Sequence, residues 1–168
     1  MRCRESYYHC GDHLLQTLAP QIGEIRDAIA SVTWKPEFVF ESQAQTLRHQ
    51  AAYNRAFATE FSIRGWEYQP LLREHPRLIG DFRKHLVFVE VQFGNSATLF
   101  RDYYKFQYGL ANGLLSLAVL VVPAVAREFF PTRPASVANM AEYSLAETCL
   151  TVLPIRVPTL LIGLLPEN

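Results

Sequence analysis

Three side chains in the run GDFRKHLVFVEVQ could do chemistry together: Asp81, Glu90 and Gln92. The residues around Glu90 are apolar and largely β-branched, so the spacing predicts a strand over 86–93. Side chains alternate along a strand. Val87, Val89, Val91 and Phe93 then take one face, and Leu86, Phe88, Glu90 and Gln92 the other. Glu90 and Gln92 project side by side, about 7 Å apart. A short antiparallel partner over 78–83, turning at Arg83-Lys84-His85, would bring Asp81 beside Glu90. Two carboxylates forced together in a sheet are costly to bury, and each raises the other's pKa. A hard divalent cation relieves both problems. Magnesium suits such a site, since it typically takes one or two carboxylates and completes its shell with water and phosphate oxygens. The Val91 carbonyl, between the two polar side chains, offers a further ligand. This constellation fits metal-assisted phosphodiester hydrolysis, with Gln92 able to orient a water but too weak to act as a base. The same spacing also fits a Glu and Gln that face solvent at a sheet edge.

The elements that must hold these residues follow from periodicity. Helices are expected over 22–33, over 42–61 with Ser42 as cap, over 96–112 begun by Asn95 or Ser96 and stopped at Gly113, and from Ser136 onward. Apolar strands are expected over 115–122 and 155–165, the latter bent at Pro158. The segments 65–79 and 131–135 read as loops. The order predicts an α/β domain, a mixed sheet flanked by helices. One domain spans 1–168, with an N-terminal helical part (1–64) and a catalytic core (65–165).

Composition narrows the function classes. Formal net charge is zero, which excludes a globally basic nucleic-acid binder but not a local basic face. Of the sixteen cationic residues thirteen are Arg, a bias that suits phosphate contacts and that GC-rich coding also produces. The apolar run 114–126 is too short to span a bilayer. Three cysteines and no apolar leader fit a reducing cytoplasm. Cys3, His9, Cys10 and His13 match no standard zinc knuckle. Of the aromatics Phe100, Tyr103, Tyr104 and Phe106, core packing or a dimer face explains more than base stacking.

The longer strings GDFRKHLVFVEVQFGN and SATLFRDYYKFQ resemble the active-site region of the BglII/BstYI-type restriction endonucleases, a Glu-x-Gln variant of the PD-(D/E)xK nuclease superfamily. LAVLVVP, the FFPTRPAS loop and PIRVPTLLIGL continue the resemblance, which covers roughly 65–165. It implies a restriction-endonuclease-like fold and a homodimer that cleaves palindromic double-stranded DNA within a restriction-modification system. It implies magnesium, with manganese as a substitute, held by Asp81, Glu90 and the Val91 carbonyl, and catalysis by Asp81, Glu90 and Gln92. In this family Gln stands where the superfamily usually has Lys. For DNA contacts it points to Asn95 at the mouth of the site, to Arg133, Ser136 and Asn139 in and beyond the PTRPAS loop, and to Arg101 and Lys105 as phosphate contacts on the following helix. Family members generally continue past the segment matching LLIGLLPEN, so tight enclosure of DNA stays open here. A catalytically weak DNA-binding protein and a repair or non-specific nuclease are the alternative readings. The recognition sequence and cut position are not legible.

Overall fold

The computed structural model describes residues 1–167. The chain begins with β1 (Arg2–Tyr8), α1 (Asp12–Thr17), α2 (Ala19–Ser31), β2 (Val39–Glu41), β3 (Thr46–Arg48) and α3 (His49–Ile63). Four short strands follow, β4 (Glu67–Tyr68), β5 (Leu71–Arg73), β6 (Leu78–Ile79) and β7 (Phe82–Lys84), and then β8 (Val87–Val91). The rest is α4 (Thr98–Ala111), β9 (Leu117–Pro123), α5 (Ala126–Phe129), α6 (Tyr143–Val152) and β10 (Thr159–Leu165).

Every residue of β8 and β9 is buried, as is nearly all of β10. Such runs need cover on both faces, which places them at the centre of a sheet. The six-stranded sheet runs β1-β10-β9-β8-β7-β4. Its three middle strands are parallel and the outer pairs antiparallel, so the expected mixed sheet is borne out. Two cores lie on its faces. Val87, Val89 and Val91 pack with Ile25 and Ile29 of α2 and Tyr53, Phe57 and Phe61 of α3. Phe88, Ala118 and Leu120 pack on the other side with Leu99 and Phe106 of α4 and Ala146 and Leu150 of α6. Among the described residues no helix is long and apolar enough to cross a membrane.

Several boundaries differ from the sequence reading. The first residues are an edge strand, not part of a helical segment. β1 carries a polar residue at most positions (RCRESYY) and lies antiparallel to β10, so it shows no apolar run. Residues 42–48 are not helical. Ser42 and Gln45 close a turn between β2 and β3 through a 3.0 Å backbone bond, and α3 starts at His49. The partner of β8 is shorter than expected, because Leu78–Ile79 pair back onto β5 and leave only Phe82–Lys84 for β8. Ser136 begins no helix. Val137 and Met140 are buried with exposed residues between them, and the backbone beside them serves the loop after β8: Ser96 N–H donates to Asn139 O at 2.8 Å and Ala141 N–H to Gly94 O at 2.9 Å. α6 therefore starts at Tyr143.

Candidate active site

The site forms where the β7–β8 ladder stops. Pairing ends at Phe82↔Val89, and the chain before it turns away, with Gly80 N–H on Pro70 O at 3.0 Å and Gln69 N–H on Asp81 O at 2.9 Å. Gly80 lies flat under the ring of Phe88. A Cβ there would fall 2.0 Å from Phe88 Cζ, so only glycine fits. On its far edge β8 keeps bonding to β9 through alternate residues, among them Gln92 N–H to Val121 O at 2.8 Å. Val91, one residue earlier, turns its backbone groups the other way, where no strand remains. Its N–H donates to Asp81 Oδ2 at 2.8 Å. Asp81 and Val91 together line a pocket of about 150 Å³ with Asn54, Tyr68, Gln69 and Phe82.

Glu90 and Gln92 point to the opposite face, towards α4. Glu90 is 3% exposed. Its Oε1 accepts from Lys105 Nζ at 2.8 Å. Lys105 also lies 3.0 Å from Asp102 Oδ1, a charge contact outside hydrogen-bond alignment. Gln92 is clamped at both ends: Nε2 donates to Asp102 Oδ2 at 2.6 Å, and Oε1 accepts from Gly94 N–H at 2.7 Å. Because the Gly94 N–H requires an acceptor, this bond also orients the amide.

Burial raises the Asp81 carboxyl above its ordinary range, against the opposing Val91 N–H and the Lys105 charge. Burial, then the charges of Asp81 and Asp102, push Glu90 well above its usual value despite Lys105. For Lys105 burial works against the charged form, but Glu90 and Asp102 override it and hold the ammonium above its ordinary value. Burial is thus the first cause at both carboxyls, and at Glu90 the neighbouring carboxylates add to it.

The donor set is the test of fit for a cation. Among the described residues no three His, Cys, Asp or Glu side chains converge as a ready-made cage. Magnesium does not need one, since it is usually held through one or two carboxylates with water and substrate oxygens. The donors on hand are all hard oxygens: Asp81, Glu90 and the carbonyl of Val91. Their type, and the repulsion that Asp81 and Asp102 exert on Glu90, fit a divalent ion.

The remaining expected residues divide. Asn95, Ser136 and Asn139 come together around a second pocket of about 210 Å³ that also includes Gln50 and Met140. Arg133 is half-buried and its guanidinium donates to Gln50 Oε1. Arg101 is exposed on α4 and its charge reaches Asp81. Lys105 is placed otherwise than expected. Only 4% of its side chain is exposed, so it sits on Glu90 and Asp102 rather than on a surface open to phosphates. Of the aromatics on α4, Tyr103 and Phe106 are core, while Phe100 and Tyr104 are exposed. Sequence reasoning missed Asp102. Its signal was there: Asp102 falls on the stripe of Leu99, Tyr103 and Phe106, where a carboxylate needs a buried partner.

No curated protein matches this chain. Among solved structures, the crystal structure of restriction endonuclease BglII complexed with a DNA 16-mer is similar in fold, with a TM-score of 0.78 at 19% identity; the match covers all of this chain and 78% of that one. A family model described as restriction endonuclease BglII/BglIII matches residues 4–164. The family expected from the Asp81, Glu90, Gln92 pattern is borne out: the chain belongs to the BglII/BglIII restriction endonuclease family.

Proposed function

We propose that the chain is a type II-like restriction endonuclease, cutting palindromic double-stranded DNA as a homodimer with magnesium, or manganese in its place. The observation that carries this is the pairing of Asp81 with the unladdered Val91 N–H beside a small polar pocket, one residue from buried Glu90. Enzymes of this type use a divalent metal. When bound, the ion would polarise the scissile phosphoryl group and lower the pKa of a water. Asp81, Glu90 and the Val91 carbonyl are the groups that would hold it.

The chain's own residues do the rest. The Val91 N–H fixes the Asp81 carboxylate in one orientation, so its second oxygen is presented to the pocket without an ordering cost. Gln92 cannot take the proton, which goes to Glu90, to a phosphate or to bulk water. Gln92 is a poor base and is held at both ends, so its part is to keep the floor of the site in register. Asn95, Ser136 and Asn139 form a polar cluster suited to base edges, and exposed Arg101 suits a phosphate. A two-fold dimer would present two such sites to antiparallel strands, and exposed Phe100 and Tyr104 on α4 offer apolar area for that contact.

Digestion of mixed plasmid DNA with magnesium tests the reading. Discrete fragments are expected from the wild type and none from Asp81→Ala with its fold retained. A smear would instead mark a non-specific nuclease, and DNA binding without cleavage a binding protein. Undiminished cutting by Asp81→Ala would refute the assignment.

A further inference from the structure

The buried ammonium of Lys105 has no part in the scheme above. Among the described residues it is the buried cation beside three acids: Glu90, which it touches at 2.8 Å; Asp102, at 3.0 Å; and Asp81, whose pKa its charge lowers, with exposed Arg101 adding a weaker effect there. The side chains of Lys105, Glu90 and Asp102 are each 4% exposed or less. Water cannot screen these charges, so they must be settled among themselves. With its carboxylates ionised, and with the exposed and solvent-screened Arg101 left out, the cluster carries three negative charges and one positive. The remainder, two negative charges, is what one divalent ion neutralises. Without Lys105 the cluster would be over-charged for such an ion, and without Asp102 under-charged.

The arrangement is also specific in space. Lys105 sits on the α4 side of Glu90, while the Asp81–Val91 pocket opens on the other. Asp102 holds Lys105 from within the same helix, at i and i+3, and with its other oxygen fixes the Gln92 amide. One buried acid thereby orients both polar neighbours of the metal-binding strand.

We propose that Lys105, held by Asp102, is a built-in counter-charge that sets the divalent-cation affinity of the Asp81–Glu90 site. Lys105 is a positioning residue: it acts through Glu90 and touches neither metal nor DNA. The inference rests on the nuclease reading, in which Asp81 and Glu90 hold the ion.

Calorimetric titration of magnesium into the full-length, metal-free protein, with thermal melts alongside, tests it without reference to cleavage. Lys105→Gln should bind magnesium at least about tenfold more tightly than wild type, since a positive charge 2.8 Å from the ligand Glu90 is removed at low dielectric. Asp102→Asn, which removes a negative charge at constant shape, should weaken binding by at least about fivefold. Lys105→Arg, which keeps the charge, should restore wild-type affinity. Opposite signs for the first two variants distinguish charge-setting from a structural role, because mere loosening of the site would weaken both. Shifts of the same sign, or none, overturn the proposal. If Lys105→Gln does not fold, Asp102→Asn against Lys105→Arg decides: the first weakened and the second unchanged supports it, and any other pattern overturns it. A wild type that binds no magnesium overturns the nuclease reading itself, and this inference with it.

Discussion

Gly80→Ala is the sharpest test of how the fold places Asp81. The new Cβ would stand 2.0 Å from Phe88 Cζ and 2.3 Å from Cε2. Carbon atoms pack no closer than about 3.5 Å, so the ring or the Gly80 backbone must retreat by roughly 1.5 Å. Phe88 has no room to give. It is fully buried in the cluster of Leu99, Leu120 and Phe106, with the Phe106 ring edge-on at 6.0 Å. Overpacking typically costs about 1–3 kcal/mol, and a clash of this depth against a rigid ring belongs at the upper end, about 3 kcal/mol. For a chain of this size that lowers Tm by about 6–12 °C. If the backbone yields instead, Asp81 moves with it, and a shift of about 1 Å at a reacting group costs on the order of a hundredfold in rate. Thermal melts and plasmid cleavage on wild type, Gly80→Ala, Phe88→Leu and the double variant separate the two outcomes. Leu in place of Phe88 frees the space, so the double variant should be more stable than the sum of the single losses by about 1 kcal/mol or more. An alanine variant that melts within about 2 °C of wild type, or losses that simply add, would show that the Gly80–Phe88 contact does not hold the site.

Two further perturbations follow from the same geometry. Glu90 has a folded-state pKa well above the ordinary 4.5, from burial first and then from Asp81 and Asp102. A carboxyl that binds its proton more tightly in the folded state favours folding below 4.5, and that contribution is lost as pH rises through the raised value. The metal-free protein should therefore lose stability with rising pH across that interval, and Glu90→Gln should flatten the decline; equal slopes in the two proteins would remove Glu90 as its source. Gly94→Ala would place a Cβ 2.6 Å from Gln92 Oε1 and 3.3 Å from Thr98 Oγ1. The amide must swing, which breaks its bond to charged Asp102 at a cost of about 1.5–3 kcal/mol, or about 3–12 °C in Tm; a crystal structure of the variant with Gln92 unmoved would contradict this.

What could be read from the sequence depended on whether a residue's signal was local. β8 and β9 were legible because strands covered on both faces must be apolar at nearly every position, and LVFVEV and LAVLVVP are. Glu90 stood out as the exception within such a run. β1 was not legible, since an edge strand with charged residues looks like a solvated segment until β10 is placed beside it. Val137, Met140 and Ala141 have helical spacing and are all buried, yet their segment is a run of turns, and Asn139 O and Ala141 N–H bond to Ser96 and Gly94 some forty residues earlier instead of continuing a helix. The misreading of Lys105 has the same origin. On a helix considered alone it is an ordinary surface lysine, and only the docking of α4 over Phe88 and Glu90 turns it inward.

The site and the irregularity of the sheet have one cause. β7 pairs with β8 for only three residues before the chain leaves to form the β5–β6 hairpin. That departure leaves Val91 with an N–H and a carbonyl facing an edge that has no strand, in a region already closed by Phe82 and α3. A buried, unpartnered N–H is costly, and the side chain of Asp81 takes the place of the missing ladder. Had β7 run two residues further, a backbone carbonyl would have met Val91, the pocket would have closed, and Asp81 would have had no reason to turn inward. The short ladder therefore fixes the Asp81 carboxylate, opens the pocket beside it and leaves the Val91 carbonyl off the ladder, all by omitting the same two residue pairs. Lengthening that ladder, for instance by replacing the β5–β6 excursion with a tight turn, should stabilise the sheet and abolish the site together.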